Sequence, residues 1–146
     1  MSTFADSSAL VTLYAEETGG PAVHGAAGLI VSSLVRVEVP SALWRKQRDG
    51  ALAPEDAALL TSLFEADYLG EQDDRPRLLS VTVSASILEE AARLTATHSL
   101  RALDAVQLAT ALAARRADPE CTAFACLDVR LRAAAAGTGF ALVPQV

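Results

Sequence analysis

The stretch that decides the fold is residues 122–143, TAFACLDVRLRAAAAGTGFALV. It opens on an apolar run from Thr122 to Leu127, which predicts a buried strand that ends at Asp128. The Ala-rich segment through Ala136 predicts a helix, and the glycines that follow terminate it. Residues 140–143 predict another strand. A helix between two strands is the usual connection of a parallel pair, so this end of the chain predicts an α/β architecture.

The same alternation of strands and helices extends through the rest of the chain. Strands are predicted at residues 3–6, 29–31 and 78–81, and helices at 7–17, 34–48, 54–68, 84–97 and 100–116, with a short further helix ending at Ala27. Pro40 is expected to kink the second long helix or to delay its start. On the helix 84–97, the inner face is predicted to carry Ile87, Leu88, Ala91 and Leu94. Residues 1–146 therefore form one predicted domain, with a mostly parallel sheet covered by helices on both faces.

Composition excludes several classes of protein. The 146 residues are 51% hydrophobic and 21% charged, which argues against disorder. The net charge of −6 is opposite in sign to that of a protein that neutralises a nucleic-acid backbone, although divalent cations would cancel acid charge locally. Cys121 and Cys126 lack the spacing of a zinc site. No stretch has the pattern of a signal peptide or a transmembrane helix, so a cytoplasmic location without membrane contact is expected.

Four acidic residues lie in apolar surroundings. Asp6 and Asp128 each follow a predicted strand and begin a helix, and ligand sites of α/β sheets lie at such carboxyl ends of strands. Asp104 is expected on the second turn of an apolar helix, and Glu38 lies between two valines. An unpaired buried carboxylate is costly, so each of these groups requires a cation or a hydrogen-bond donor. Carboxylate oxygens suit Mg²⁺, and two ions roughly 4 Å apart can activate water for phosphodiester hydrolysis.

Each acid also has an ordinary structural interpretation. Asp6 and Asp128 can be helix N-caps. Glu38 can be a solvated helix residue, and Asp104 can pair with Arg101, one turn before it. The spacing of the four acids is no sharp local signature, so the residues alone leave both interpretations open.

Four stretches resemble the motifs of PIN domains, in the order of that family and over nearly the whole chain. They are FADSSAL (4–10), SSLVRVEVPSALWR (32–45), LDAVQLATAL (103–112) and FACLDVRL (124–131). In length and motif style the chain most resembles the VapC-type toxins of bacterial toxin–antitoxin pairs.

The resemblance implies a three-layer PIN-like fold and a Mg²⁺- or Mn²⁺-dependent endoribonuclease. It implies that Asp6, Glu38, Asp104 and Asp128 are the catalytic and metal-binding residues, with Ser8 as a supporting hydroxyl. Cys126 stands where the family often has Thr or Ser, and a thiol is a weaker hydrogen-bond partner than a hydroxyl. The resemblance also implies an RNA substrate, a homodimer, and a cognate antitoxin with a segment that lies across the acidic groove.

Basic residues near the acids are candidate contacts for RNA phosphates. They are Arg36, Arg45, Lys46 and Arg101. The structural alternatives are favourable charge at a helix C-terminus and, for Arg101, a salt bridge to Asp104.

Two other functions remain open. A phospho-receiver-like signalling module would need a lysine after its last strand, whereas the only lysine here is Lys46, inside a predicted helix. A PIN-like protein could also bind RNA or a protein partner without cleaving RNA, but the presence of all four acids counts against this.

Overall fold

A computed structural model of the chain describes residues 1–17, 28–71 and 75–144. The strands of this described part are β1 (Ser2–Ala5), β2 (Leu29–Ser32), β3 (Leu78–Val81), β4 (Cys121–Ala125) and β5 (Ala141–Val143). Its helices are α1 (Ser7–Glu17), α2 (Val35–Arg48), α3 (Pro54–Leu69), α4 (Ala85–Thr97), α5 (Ala102–Ala117) and α6 (Val129–Gly137). The predicted helix that ends at Ala27 lies outside the described residues.

The five strands form one parallel sheet in the order β3-β2-β1-β4-β5. From central β1 the chain steps outward to β2 and β3, and then returns to place β4 on the other side of β1. The strand order therefore reverses between β1 and β4, where ligand sites of parallel sheets form. The predicted α/β fold with a parallel central sheet is confirmed.

Side chains of the strands alternate between two helical layers. Phe4, Ile30 and Phe124 pack in a core with α4, α5 and α6. The next residues along the same strands, Ala5, Val31 and Ala125, pack in a second core with α1, α2 and α3. This alternation follows from the period of two residues in a strand. The molecule thus has three layers, helix–sheet–helix.

A buried polar contact ties α1 to α3. The Tyr14 hydroxyl donates a hydrogen bond to the carboxylate of Asp67, which is only 3% exposed. Arg77 places Nε 3.6 Å from the same carboxylate. Burial raises the pKa of Asp67 and also raises that of Tyr14. The tyrosine is therefore a neutral donor whose hydrogen bond satisfies a buried acid.

One of the two alternatives for Pro40 in α2 is excluded, and one expectation about α4 is corrected. The start of α2 is not delayed by Pro40, because the helix begins at Val35 and Pro40 lies inside it. On α4, Leu88 is 51% exposed, whereas Ile87, Ala91 and Leu94 are buried. Residues four and seven positions apart share one helix face, and Leu88 is turned away from that face.

The starts and ends of two further elements also differ from expectation. The helix α5 begins at Ala102 and not at residue 100, so Asp104 lies in its first turn and not its second. The strand β4 ends at Ala125, and Leu127 beyond it is largely exposed. None of the described helices has the length and apolar character needed to cross a membrane.

Candidate functional site

Asp6 lies at the carboxyl end of β1 and caps α1. Its Oδ1 accepts hydrogen bonds from the backbone N–H of Ala9, at 2.9 Å, and from the Ser8 hydroxyl, at 2.8 Å. The residue is 3% exposed. Burial raises the pKa of Asp6 from 3.8 to about 6, against the two hydrogen bonds that lower it. The N-cap interpretation of Asp6 is confirmed, and Ser8 contacts the acid as expected.

Glu38 is a half-buried residue of α2 that hydrogen-bonds a residue of α5. Its Oε1 accepts from Nε2 of Gln107 at 2.9 Å. Burial raises the pKa of Glu38, hydrogen bonds from Gln107 and Ser7 lower it, and the charge of Asp104 raises it again. Glu38 is therefore not a solvated surface acid, which was the structural alternative for it.

Asp104 and Asp128 flank the exposed side chain of Arg101. The guanidinium places Nε 3.9 Å from Oδ2 of Asp104 and Nη2 3.5 Å from Oδ2 of Asp128. Asp128 follows β4 and caps α6, since its Oδ1 accepts from the N–H of Leu131 at 3.0 Å. Burial raises the pKa of Asp104, and the nearby charge of Asp128 raises it further. The predicted Arg101–Asp104 pair and the N-cap at Asp128 are both confirmed.

The four acids lie on one side of the molecule, close enough for their charges to interact. The charges of Asp104 and Glu38 both raise the pKa of Asp6, and the charge of Asp128 raises that of Asp104. These charge effects connect the four acids, of which Asp6 and Asp128 lie just beyond the carboxyl ends of β1 and β4. In residues 1–17, 28–71 and 75–144, however, no three His, Cys, Asp or Glu side chains are gathered tightly enough to hold one metal ion as they stand.

The donor chemistry of this site fits Mg²⁺ or Mn²⁺. All four groups offer the hard oxygen ligands that these ions prefer, and a divalent charge would relieve the repulsion among them. Among the described residues, Oε1 of Gln107 is a further buried oxygen without a hydrogen-bond partner. The carboxylates that could hold an ion are Asp6, Glu38, Asp104 and Asp128.

An open cleft of about 550 Å³ adjoins Glu38. Its lining combines Glu38 with two cations of the same helix, Arg45 and Lys46. Hydroxyl and apolar groups complete the lining: Ser7, Ser8, Thr12, Ser41, Val11, Val37, Ala42, Leu103 and Leu127. Arg36, another basic residue considered from the sequence, does not line the cleft. Its Nη2 lies 2.9 Å from Oε2 of Glu65 on α3.

Cys126 follows β4 directly and lies two residues before Asp128. The residue is fully buried, and burial followed by the charge of Asp6 raises the pKa of its thiol to about 12. The thiol is therefore neutral at physiological pH and adds no further negative charge to the site.

Sequence reasoning did not select Gln107 or Ser7 as site residues. Gln107 lies three positions after Asp104, so the two share a face of α5. It is 2% exposed on an otherwise apolar helix, and a buried amide requires a partner. An amide within an apolar helical pattern is therefore the sequence signal that could have identified Gln107. Ser7 follows Asp6 directly and has no comparable signal.

Comparisons with known proteins do not identify a family. No protein-family model matches the chain. No curated protein matches it significantly. The resemblance to PIN domains accordingly rests on the four motifs, and the fold of the described residues agrees with it.

Proposed function

We propose that this protein is a Mg²⁺- or Mn²⁺-dependent endoribonuclease in which Asp6, Glu38, Asp104 and Asp128 form the catalytic site. The observation that carries the proposal is the position of these acids at the switch point of the sheet, where Asp6 and Asp128 follow β1 and β4 and one guanidinium lies against both Asp104 and Asp128. Carboxylates that only cap helices or lie on the surface are not stabilised by lying close to one another. Like charges in one partly buried site disfavour folding unless a cation offsets them.

The chain's own residues hold these carboxylates in defined orientations. Ser8 and the N–H of Ala9 fix Asp6, and Gln107 fixes Glu38. A divalent cation bound by their oxygens would supply positive charge for a phosphate and an activated water for hydrolysis. Asp6, which is the most buried of the four acids, gains most from such a charge.

The adjoining cleft suits a single strand of RNA. Arg45 lies two helical turns beyond Glu38, which is about 10 Å along the axis of α2. Arg45 and Lys46 can therefore bind one phosphate of a strand while another phosphate reaches the acids. Hydroxyls of Ser7, Ser8 and Ser41 offer hydrogen-bond partners for ribose 2′-hydroxyls.

The wider biological role in this proposal follows the family resemblance. The protein acts in the cytoplasm as the toxin of a toxin–antitoxin pair and works as a homodimer. Its cognate antitoxin places a segment across the acidic cleft. The exposed apolar side chains of Leu103 and Leu127, which line the cleft, offer contact area to such a segment.

One observation favours a second candidate, a PIN-like module that binds RNA or a protein partner without cleaving RNA. As placed, the described side chains do not gather into a closed ligand set for an ion. This candidate predicts binding of RNA without metal-dependent cleavage.

Digestion of RNA with purified protein separates the two candidates. With Mn²⁺ present, we expect cleavage by the wild type and none by Asp6→Asn or Asp104→Asn, with unchanged far-UV circular dichroism. Asp56→Asn makes the same chemical change at an exposed position of α3 and should retain full activity. Cleavage that persists in excess EDTA, or in Asp6→Asn or Asp104→Asn, would refute the proposed mechanism.

A further inference from the structure

Arg101 occupies an unusual electrostatic position. It directly precedes α5, and its side chain makes no cap hydrogen bond to that helix. The N-terminus of a helix carries partial positive charge, so a cation there is disfavoured. The side chain is 78% exposed and free to extend into solvent, yet it lies against two acids on different elements. The carboxylates of Asp104 and Asp128 therefore attract Arg101 to the start of α5, although the partial positive charge there repels it.

The guanidinium occupies oxygen atoms that the proposed catalytic site needs. Both of its contacts are to Oδ2 atoms, one from Asp104 and one from Asp128. The other oxygen of Asp128 is already engaged as the N-cap of α6. A metal ion and Arg101 would consequently draw on the same carboxylate oxygens.

The contacts of Arg101 are also weak enough to be displaced. Water screens both ion pairs, because the Arg101 side chain is largely exposed and the two carboxylates are partly exposed. The two distances, 3.5 Å and 3.9 Å, are longer than those of a close bidentate pair. Arg101 therefore compensates charge without locking the two acids.

We propose that Arg101 is a built-in counterion of Asp104 and Asp128, which competes with divalent cations for these two carboxylates and so weakens cation binding. The inference rests on the proposed function, because it requires a cation site at these acids. It assigns Arg101 a role in setting the metal concentration at which the protein becomes loaded. Arg101 thus acts through the charges of Asp104 and Asp128, and its effect is on metal affinity.

Calorimetric titration of the full chain with Mn²⁺ tests the inference. For Arg101→Gln we expect Mn²⁺ to bind about 3- to 10-fold more tightly than to the wild type, which corresponds to the loss of two solvent-screened ion pairs. Arg101→Lys keeps the charge and should retain an affinity close to that of the wild type. Because the Arg101 side chain caps no helix, both variants are expected to fold, which circular dichroism checks.

Arg116→Gln is the matched control. Arg116 lies at the other end of α5 and pairs with Glu90 at 3.2 Å, so its removal makes the same change in net charge away from the cleft. Unchanged or weaker Mn²⁺ binding by Arg101→Gln, or equal tightening by Arg116→Gln, would overturn the inference and leave the proposed function standing. A wild-type protein that binds no Mn²⁺ would overturn both.

Discussion

Replacing Asp6 by Asn should stabilise the metal-free protein at neutral pH. In the native state Asp6 is buried at the carboxyl end of β1, near Glu38 and Asp104, and its pKa is about 6. Asn has nearly the same shape and keeps an oxygen that accepts from the N–H of Ala9, as a good N-cap does. The substitution therefore removes a buried charge and retains the helix cap.

The magnitude follows from the pKa. A rise from 3.8 to about 6 corresponds to about 3 kcal/mol, at 1.36 kcal/mol for each pKa unit. Between about pH 4 and pH 6 the native state binds more protons than the unfolded state, so the free energy of unfolding falls as pH rises through this window. Asn does not titrate. The advantage of Asp6→Asn should therefore be near zero at about pH 4 and reach up to about 3 kcal/mol above pH 7.

Urea denaturation in EDTA at several pH values measures this difference. Asp128→Asn is a suitable control, because Asp128 is also an N-cap but is more exposed and pairs with Arg101. It should lose a few tenths of a kcal/mol at neutral pH. The reasoning would be refuted if Asp6→Asn were less stable than the wild type at pH 8, or if its advantage did not depend on pH.

Two further predictions concern the core. Tyr14→Phe removes the hydroxyl that satisfies buried Asp67 and should lower the free energy of unfolding by about 1–3 kcal/mol in urea denaturation. Tyr68→Phe, which loses only an exposed contact to Ser80, should change it by less than about 0.5 kcal/mol; equal losses would contradict this account. On α4, Leu94→Ala should cost about 2–4 kcal/mol, and Leu88→Ala less than about 0.5 kcal/mol, by thermal unfolding. A larger loss for Leu88→Ala would place that residue in the core after all.

The regular elements were largely predictable because local residues decide them. Residues 78–81 form β3 as expected, and residues 7–17 form α1. Asp6 and Ser84 each place a side-chain acceptor at a helix start, and Gly50 allows the positive φ that ends α2. Alternation of such elements then leads to a parallel sheet, because each helical connection, whether of one helix or two, returns the chain to the same edge.

The errors arose where a pattern fits two arrangements. The apolar pattern of α4 fits either Ile87 or Leu88 at the centre of the buried face, and only packing against the sheet decides between them. Asp104 was expected on a second turn because Leu100 continues the apolar pattern of α5. Leu100 is indeed buried, but it lies before the helix begins.

The sequence alone could name the four acids, because each is a polar exception in an apolar segment or at a strand end. The sequence could not show which side chains contact these acids, because those contacts join residues that are far apart in the chain. Gln107 and Glu38 are separated by 69 positions and share a hydrogen bond, while Arg101 reaches Asp128 across 27 positions. The raised pKa of Asp6 likewise depends on burial and on neighbouring charges that only folding brings to it. Local pattern thus determines which groups can take part in a site, and tertiary packing determines their partners and their charge.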